Sequence, residues 1–383
     1  MKKIMLALVF ILALALSATT FAAEPIKIGY LASMTGDHAA YGMTEVNMAR
    51  MIVDEVNTKG GVLGRQIQLI PYDSKSRPED SVNAVRRMIE NDRVVAIIGT
   101  NFSGLNIATA PIVNRAEVPM IATVATNLLV TVDEAGKVRP YSFRICFTDP
   151  AQGQIAAELA INTLERRKAA ILYNVGSDYA HGLREYFVKS FTEGKGDIVA
   201  DEGYRDSDVD FRAQLTKVKN SGANVMFLPG MGKDMALIIK QSRELGIKDV
   251  AIIGGDGYGA FMNEIAGDTM IGTYWVNHTY LNDPGMAPFF ARYKETYNDE
   301  CKEFVNGTMS CDAVFWLVDA IGRAGKAEGP AIAKALEETR GLALNHATLT
   351  IDPATHNPIN KAGVILEVDD NLSAEFFEKV QPK

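Results

Sequence analysis

Polar residues suited to holding a small molecule follow six apolar runs of this chain. Each run ends in a short segment rich in Gly, Ser, Thr, Asn or Asp, and the runs span residues 26–31, 94–99, 118–123, 168–173, 224–228 and 250–255. The segments carry Ser33, Thr35, Tyr41, Ser103, Thr126, Tyr179 and Asp256. Buried parallel strands read as continuous apolar runs, and open parallel sheets bind ligands beyond the carboxyl ends of their strands. We therefore expect a ligand site where these segments meet.

Three of these residues have the chemistry to hold the two charges of an amino acid. Ser103 follows one run and precedes a helical stretch at 105–115, so its amide and hydroxyl would join a helix N-terminus, which favours anions. Thr126 has the equivalent place after the next run. Asp256 stands between two glycines, and its carboxylate would suit an ammonium group. Because such residues are also common as helix caps and turns, these roles are hypotheses.

An enzyme is the main rival class, and the motifs argue against it. Ser103 lies in the sequence GTNFSG, which does not fit the nucleophile motif G-x-S-x-G. The five histidines are isolated from one another in sequence, and the glycines at 255, 257 and 259 fail the dinucleotide fingerprint in spacing. We therefore predict a binding protein with no catalytic residues, no metal and no cofactor.

The first residues have the three-part layout of a secretory signal. Lys2 and Lys3 precede the apolar residues 4–16, and small residues follow up to Ala23. We expect residues 1–23 to be the signal peptide, cleaved after Ala22 or Ala23, and the mature protein to be free in the periplasm. A lipid anchor would need a cysteine at the cleavage point, but the first cysteine is Cys146.

Size, charge and cysteine content limit the possibilities further. Removing the leader leaves roughly 360 residues, a comfortable length for two domains. The formal charge of −8 disfavours binding to nucleic acid and suits a monomer that remains in solution. Cys301 and Cys311 are close enough in sequence to form a disulfide in an oxidising compartment, which would leave Cys146 unpaired.

Helical spacing of apolar residues alternates with the six runs. Helices are predicted at 41–59, 78–91, 149–166, 208–220, 233–245, 286–298, 309–325 and 330–338. This alternation predicts an α/β fold of two doubly wound parallel-sheet lobes. If the chain crosses between lobes near residues 147, 279 and 352, the hinge has three segments. The first lobe would then comprise 24–146 with 280–352, and the second 147–279 with 353–383.

The ordered set of short motifs resembles one family over essentially the whole mature chain. The motifs are IKIG at 26–29, TG at 35–36, YG at 41–42, EVN at 55–57, KGGVLGR at 59–65, YD at 72–73, IG at 98–99 before Ser103, ATN at 125–127, FR at 143–144, TDP at 148–150, DY at 178–179, GL at 182–183 and GGDG at 254–257. In order and spacing they resemble the leucine/isoleucine/valine-type periplasmic binding proteins of ABC importers. The resemblance implies a type I binding-protein fold, a ligand between the lobes and a membrane permease as partner.

The resemblance also assigns roles to particular residues. It implies that Ser103 and Thr126 hold a ligand carboxylate, and that the Val124 carbonyl and Asp256 hold its ammonium. It further implies that Tyr179 contacts the charged end of the ligand from the second lobe, and that Tyr41 lies at the pocket wall.

The ligand side chain is less determined. Phe102, Met231 and Tyr258 make an apolar pocket plausible, yet Met231 stands where leucine-type proteins often carry an aromatic residue. A branched-chain amino acid is the default ligand. An aromatic carboxylate, an aliphatic amide and a sensor domain of the same fold stay open as alternatives.

Overall fold

The computed structural model describes residues 23–36 and 38–382. The predicted signal peptide therefore lies outside the described residues, except for Ala23. No helix in the described ranges is long and apolar enough to cross a membrane.

The first lobe is organised on a sheet of five parallel strands. These are β1 (Ile26–Ala32), β2 (Ile67–Asp73), β3 (Ala96–Ile98), β4 (Met120–Ala122) and β5 (Ser142–Arg144), in the order β2-β1-β3-β4-β5. The connecting helices are α1 (Ala39–Thr58), α2 (Pro78–Arg87) with a π-helical turn at Met88–Asp92, and α3 (Ser103–Ala116). Helices lie on both faces of this sheet, which explains why its central strands read as continuous apolar runs.

The second lobe begins with the same alternation. Its strands are β6 (Lys168–Asn174), β7 (Asp197–Tyr204), β8 (Val225–Leu228), β9 (Ala251–Gly254) and β10 (Thr273–Asn277). Its helices are α4 (Asp149–Glu158) with a π-helical turn at Leu159–Thr163, α5 (Asp178–Glu193), α6 (Arg212–Ser221), α7 (Gly232–Glu244) and α8 (Met262–Ala266).

The remaining elements complete both lobes. They are α9 (Ala287–Tyr297), α10 (Phe304–Ala324), α11 (Gly329–Glu337), the hairpin strands β11 (Leu342–Ala343) and β12 (Thr348–Leu349), and the strands β13 (Gly363–Val368) and β14 (Ala374–Val380). The second sheet has the order β14-β13-β10-β9-β8-β6-β7, and β13 and β14 are antiparallel to their neighbours. The α/β fold is thus confirmed, although the second sheet is mixed rather than purely parallel.

Four strands outside the six apolar runs are edge strands. β2 and β5 flank the first sheet, and β7 and β14 flank the second. β2 contains Pro71, and β7 has the sequence DIVADEGY with exposed residues along its length. β5 is buried but contains Ser142 and Arg144. Because an edge strand is paired on one side only, it tolerates proline and polar residues and lacks the continuous apolar run of a central strand.

The chain passes from the hydrophobic core of one lobe to that of the other at three points. Cys146 packs in the first lobe and Phe147 in the second. The chain returns between Val276 and Met286, and it crosses again between residues 351 and 364. These three crossing segments form the hinge. The lobe boundaries at 146/147, 279/280 and 352/353 stay predictions, and α10 departs from them because Phe304 and Val305 pack in the second core.

The predicted disulfide is wrong in this structure. Cys146, Cys301 and Cys311 are all buried free thiols. The Cys301 thiol lies over Gly307, whereas Cys311, one turn further along α10, accepts a hydrogen bond from Asn345 Nδ2 at 3.6 Å. A helical turn rises about 5.4 Å, far more than the ~2 Å of an S–S bond, so the two thiols do not meet.

Candidate functional site

A small cavity lies between the lobes at the carboxyl ends of both sheets. It has a volume of about 20 Å³ and is lined by Tyr41, Asn101, Val124, Tyr179, Met231, Asp256, Gly257 and Asn306. A second cavity of about 420 Å³ shares Tyr179 and Met231 in its wall and adds Phe102 and Ser103. Thr126 is fully buried in the loop that carries Val124. The structure therefore brings the predicted site residues to one cleft, while Asn101, Gly257 and Asn306 were not foreseen.

The N-terminus of α3 forms one part of the first-lobe wall. Ser103 is the first residue of this helix and follows Phe102, whose backbone is extended. Amides in the first turn of a helix have no intrahelical partner and favour an anion. The Asn106 side chain donates to the carbonyls of Thr100 and Phe102 at 2.8 and 2.9 Å, which fixes the loop before the helix. Ser103 Oγ accepts from the amide of Asn127 at 3.3 Å, which orients the hydroxyl and leaves its proton available to a ligand carboxylate.

The loop after β4 forms the other part of this wall, and Arg144 holds it. The fully buried Arg144 guanidinium donates to the carbonyls of Ala125 and Asn127 at 2.8 and 2.6 Å and to Thr131 Oγ1 at 3.2 Å. Burial lowers the pKa of Arg144, but the group retains its charge. These bonds set the backbone that presents Thr126, whose Oγ1 has no hydrogen bond to any described residue. The sequence showed the Phe-Arg motif but not this role.

On the second-lobe wall, Asp256 is held by a histidine that the sequence analysis left unassigned. Asp256 lines the cavity, and its Oδ2 lies 2.9 Å from Nε2 of the fully buried His278 side chain. The His278 ring packs on Phe147 with centroids 3.8 Å apart. Burial lowers the pKa of His278, opposed by the hydrogen bond to Asp256, so the neutral ring donates its Nε2 proton to the carboxylate. These residues lie 22 positions apart, and no sequence spacing pairs them.

Tyr179 and Asp149 add further polar groups to the second-lobe side. Within residues 23–36 and 38–382, Tyr179 Oη and both Asp149 carboxylate oxygens are buried without a hydrogen-bond partner. Burial, followed by the charge of Asp256, raises the pKa of Tyr179 well above its usual value, so the phenol remains a donor. Burial raises the pKa of Asp149 to about 8, against the influence of the nearby Thr126 hydroxyl. Thr148, not Asp149, occupies the N-cap position of α4.

Close packing within the second-lobe wall requires glycine beside Asp256. A Cβ on Gly255 would lie 2.3 Å from Tyr179 Oη, and one on Gly257 would lie 2.0 Å from the Gly230 carbonyl oxygen. Any larger residue at either position would displace backbone or the Tyr179 ring. The glycines that flank Asp256 in the sequence thus serve packing at the cleft.

Direct hydrogen bonds join the lobes across the cleft. Tyr41 Oη donates to the Gly257 carbonyl at 2.9 Å, and Asn127 Nδ2 donates to the Asp178 carbonyl at 2.7 Å. Glu303, whose pKa burial raises to about 7, accepts from the amide of Ala260 at 3.3 Å. The structure is therefore a closed form.

An apolar cluster borders the polar groups. Tyr41, Phe102 and Leu105 pack together, with Met231 and Phe261 against them. Tyr258, expected in this pocket, instead packs near Trp275 in the second core, with ring centroids 5.3 Å apart. Phe261, whose ring centroid lies 5.4 Å from that of Tyr41, takes the place expected for it.

The arrangement suits binding a molecule with both charges and an apolar part. The first lobe offers backbone amides and the Thr126 hydroxyl, whereas the second offers the Asp256 carboxylate and the Tyr179 hydroxyl. In the part of the chain that the structure describes, no group of three or more His, Cys, Asp or Glu side chains could hold a metal ion.

Two α/β lobes joined by a three-segment hinge, with a polar and apolar cleft between them, define a two-lobed ligand-binding protein. The chain belongs to the periplasmic binding protein family, whose sequence model matches residues 25–371. The fold is that of the type I members of this family, which places the protein among extracytoplasmic binding proteins.

Individual relatives agree over most of their length. A Leu/Ile/Val-binding protein homologue from Brucella abortus is 32% identical over 343 residues, 88% of this chain and 89% of the relative. A leucine-binding protein from Thermotoga maritima superimposes with a TM-score of 0.85 at 30% identity, covering 93% of this chain and 99% of that one. A branched-chain amino-acid transporter substrate-binding protein from Streptococcus pneumoniae, solved with isoleucine, gives 0.84 at 29% identity, covering 94% and 100%.

Proposed function

We propose that this protein captures a branched-chain amino acid between its lobes and delivers it to the membrane permease of an ABC importer. The observation that carries the proposal is the opposition of charges across one cleft. The N-terminus of α3 faces the cleft from the first lobe, with the buried Thr126 in the adjacent loop, and Asp256 lines the cleft from the second lobe. A carboxylate would bind at the first wall and an ammonium at the second.

The apolar cluster supports an aliphatic side chain on this ligand. Tyr41, Phe102 and Met231 lie beside the charged groups, so one molecule would contact both. Two similar proteins are named for leucine or for leucine, isoleucine and valine, and a third was solved with isoleucine. Apolar pockets discriminate weakly between ligands that differ by one methylene, so we expect several branched-chain amino acids to bind.

Binding requires the lobes to part. The cavity beside Asp256 holds about 20 Å³, room for little more than one water molecule. The neighbouring cavity of about 420 Å³ is separated from it by Tyr179 and Met231. A rotation about the three hinge segments would merge the two spaces, and closure would then bury the ligand.

We also propose the periplasm as the compartment and a monomer as the working form. Export is supported by Lys2 and Lys3, by the apolar residues 4–16 and by the small residues before Ala23. N-terminal sequencing of the protein secreted by a Gram-negative host should begin at Ala23 or Glu24. An intact Met1 on the exported protein would contradict cleavage.

A ligand panel tests the proposal directly. Isothermal titration calorimetry of the mature protein should give binding to leucine, isoleucine or valine, but not to benzoate or acetamide. These two probes represent the aromatic carboxylates and aliphatic amides that the sequence left open. Binding to benzoate alone would overturn the amino-acid assignment while retaining a binding protein. If the folded mature protein binds none of the panel in these titrations, the proposed ligand class is wrong.

A further inference from the structure

A separate cavity lies at the hinge, behind the cleft. Its volume is about 220 Å³, and its wall includes His278 from the second crossing segment and Lys361 from the third, together with His346. His278 contacts Asp256 of the cleft through its ring nitrogen Nε2. The hinge cavity and the ligand cleft are thus separated by one side chain.

The wall of this hinge cavity is rich in hydrogen-bond donors. Lys361, Lys379, Asn360 and Gln381 line it. Lys361 Nζ donates to the Ile145 carbonyl at 2.6 Å, which leaves protons of this ammonium for another acceptor. The lining carboxylate, Asp283, is already engaged, because it accepts from the Gly285 amide at 2.9 Å and from Thr279 Oγ1 at 3.3 Å.

Two buried imidazoles share one arrangement at this cavity. His278 Nε2 lies 2.9 Å from Asp256 Oδ2, and His346 Nδ1 lies 3.1 Å from Asp312 Oδ2. His278 Nδ1 and both nitrogens of His346 are buried without a hydrogen-bond partner among the described residues. An unpartnered ring nitrogen that carries a proton can donate it to an anion in the cavity.

The charges of the wall decide which ligand fits. Two lysines face the cavity, which disfavours a cation. Lys361 and His346 also help to lower the pKa of His278, after burial itself and against the opposing influence of Asp256. An anion would reverse that influence and would be held by charge-assisted hydrogen bonds.

We propose that the hinge cavity is a second ligand site, which takes a small divalent oxyanion of the sulfate or phosphate type. The anion bridges the second and third crossing segments through His278 and Lys361, and also contacts Lys379 and His346. Because His278 joins this site to Asp256, anion binding and cleft binding influence each other. Such coupling is reciprocal and typically changes affinity by about 5- to 150-fold.

Sulfate is the probe, since it remains divalent between pH 6 and 8 and any pH dependence then comes from the protein. Calorimetric titration of the amino-acid-free mature protein with sodium sulfate, at constant ionic strength, should give one site. Binding should be about tenfold tighter at pH 6 than at pH 8, because one linked proton changes affinity by up to tenfold per pH unit. The groups that face the two imidazoles are Asp256, Asp312, Asp283, Lys361 and Lys379.

Three variants identify the site. His346→Gln replaces one imidazole of the cavity wall by an amide, so sulfate affinity should fall about tenfold. Lys379→Met, at an exposed position where folding is not at risk, should weaken sulfate binding by several-fold. Lys248→Met removes an exposed lysine elsewhere in the second lobe and should leave sulfate binding unchanged.

Two results would overturn the proposal. The first is no sulfate binding at 10 mM by the folded wild-type protein, and the second is equal sulfate affinity in all three variants. Isoleucine titrations with and without saturating sulfate test the coupling. An isoleucine affinity that sulfate does not change would refute the link through His278. Failure of isoleucine to bind at all would count against the proposed function and leave the sulfate results standing.

Discussion

The two walls of the cleft are held in place in different ways. The first-lobe wall is fixed by the network of Arg144, Asn106 and Ser103, which satisfies backbone groups of both loops. The second-lobe wall has one hydrogen bond on Asp256, from His278, and leaves Tyr179 Oη without a hydrogen bond to any described residue. The first wall is thus held by more hydrogen bonds than the second, whereas each wall retains one buried hydroxyl, Thr126 Oγ1 or Tyr179 Oη, for the bound ligand.

The largest expected effect comes from the charged group of the second wall. Asp256→Asn keeps an acceptor for His278 but removes the charge opposite the ligand ammonium. Breaking a buried charge pair typically costs 2–5 kcal/mol, at about 1.4 kcal/mol per decade, so affinity for the best ligand of the panel should fall roughly 30-fold to several thousand-fold. Calorimetric titration measures this loss.

Ser103→Ala is the matched change in the first wall. It should reduce affinity by less than about tenfold, because the amides at the N-terminus of α3 remain to hold the carboxylate. Circular dichroism should show both variants folded. Equal losses in the two variants would remove the difference between the walls, and wild-type affinity in Asp256→Asn would mean that no ammonium binds there.

The next effect is on stability and compares the residues that support each wall. Arg144→Met leaves at least two buried carbonyls without their donor, and each unsatisfied group costs about 1–3 kcal/mol. We expect the free energy of unfolding to fall by about 3 kcal/mol, measured by urea denaturation.

His278→Gln is the corresponding change in the second lobe. Glutamine can still donate to Asp256, so the loss should be about 1 kcal/mol or less. A larger loss in His278→Gln than in Arg144→Met would show that the second wall, not the first, is the more rigidly supported one.

The smallest effect concerns one buried acid in each lobe. Burial raises the pKa of both Glu45 and Asp149 to about 8, although Glu45 also accepts from Thr123 Oγ1 at 2.7 Å. The folded form therefore retains a proton that the unfolded chain releases above about pH 4. The stability due to these protonated acids is complete below pH 4 and is lost as pH rises toward 8.

Glu45→Gln and Asp149→Asn should each flatten this decline. One proton corresponds to at most about 1.4 kcal/mol per pH unit, measured as the difference in unfolding free energy between pH 6 and pH 7. Glu193→Gln, at the exposed end of α5, is the control and should follow the wild type. Slopes identical to the wild type in both test variants would mean that these acids are ionised in the folded protein.

The sequence by itself determined the architecture and the location of the site. Strands buried on both faces need uninterrupted apolar residues, so the central strands were visible as runs, and the polar segments after them identified the cleft. Ser103, Thr126 and Asp256 were found because each directly follows such a run. The edge strands β2, β5 and β7 were missed because they are paired on one side and carry polar residues.

Only the tertiary structure decided which distant residues support those groups. His278 reaches Asp256 from the end of the neighbouring strand β10, and Arg144 reaches back to residues 125–131 from the neighbouring strand β5. Neither contact follows a helical or strand period, because it depends on how neighbouring loops fold over one another. The separation of Cys301 and Cys311 was likewise decided by the direction of α10, which a spacing along the chain does not contain.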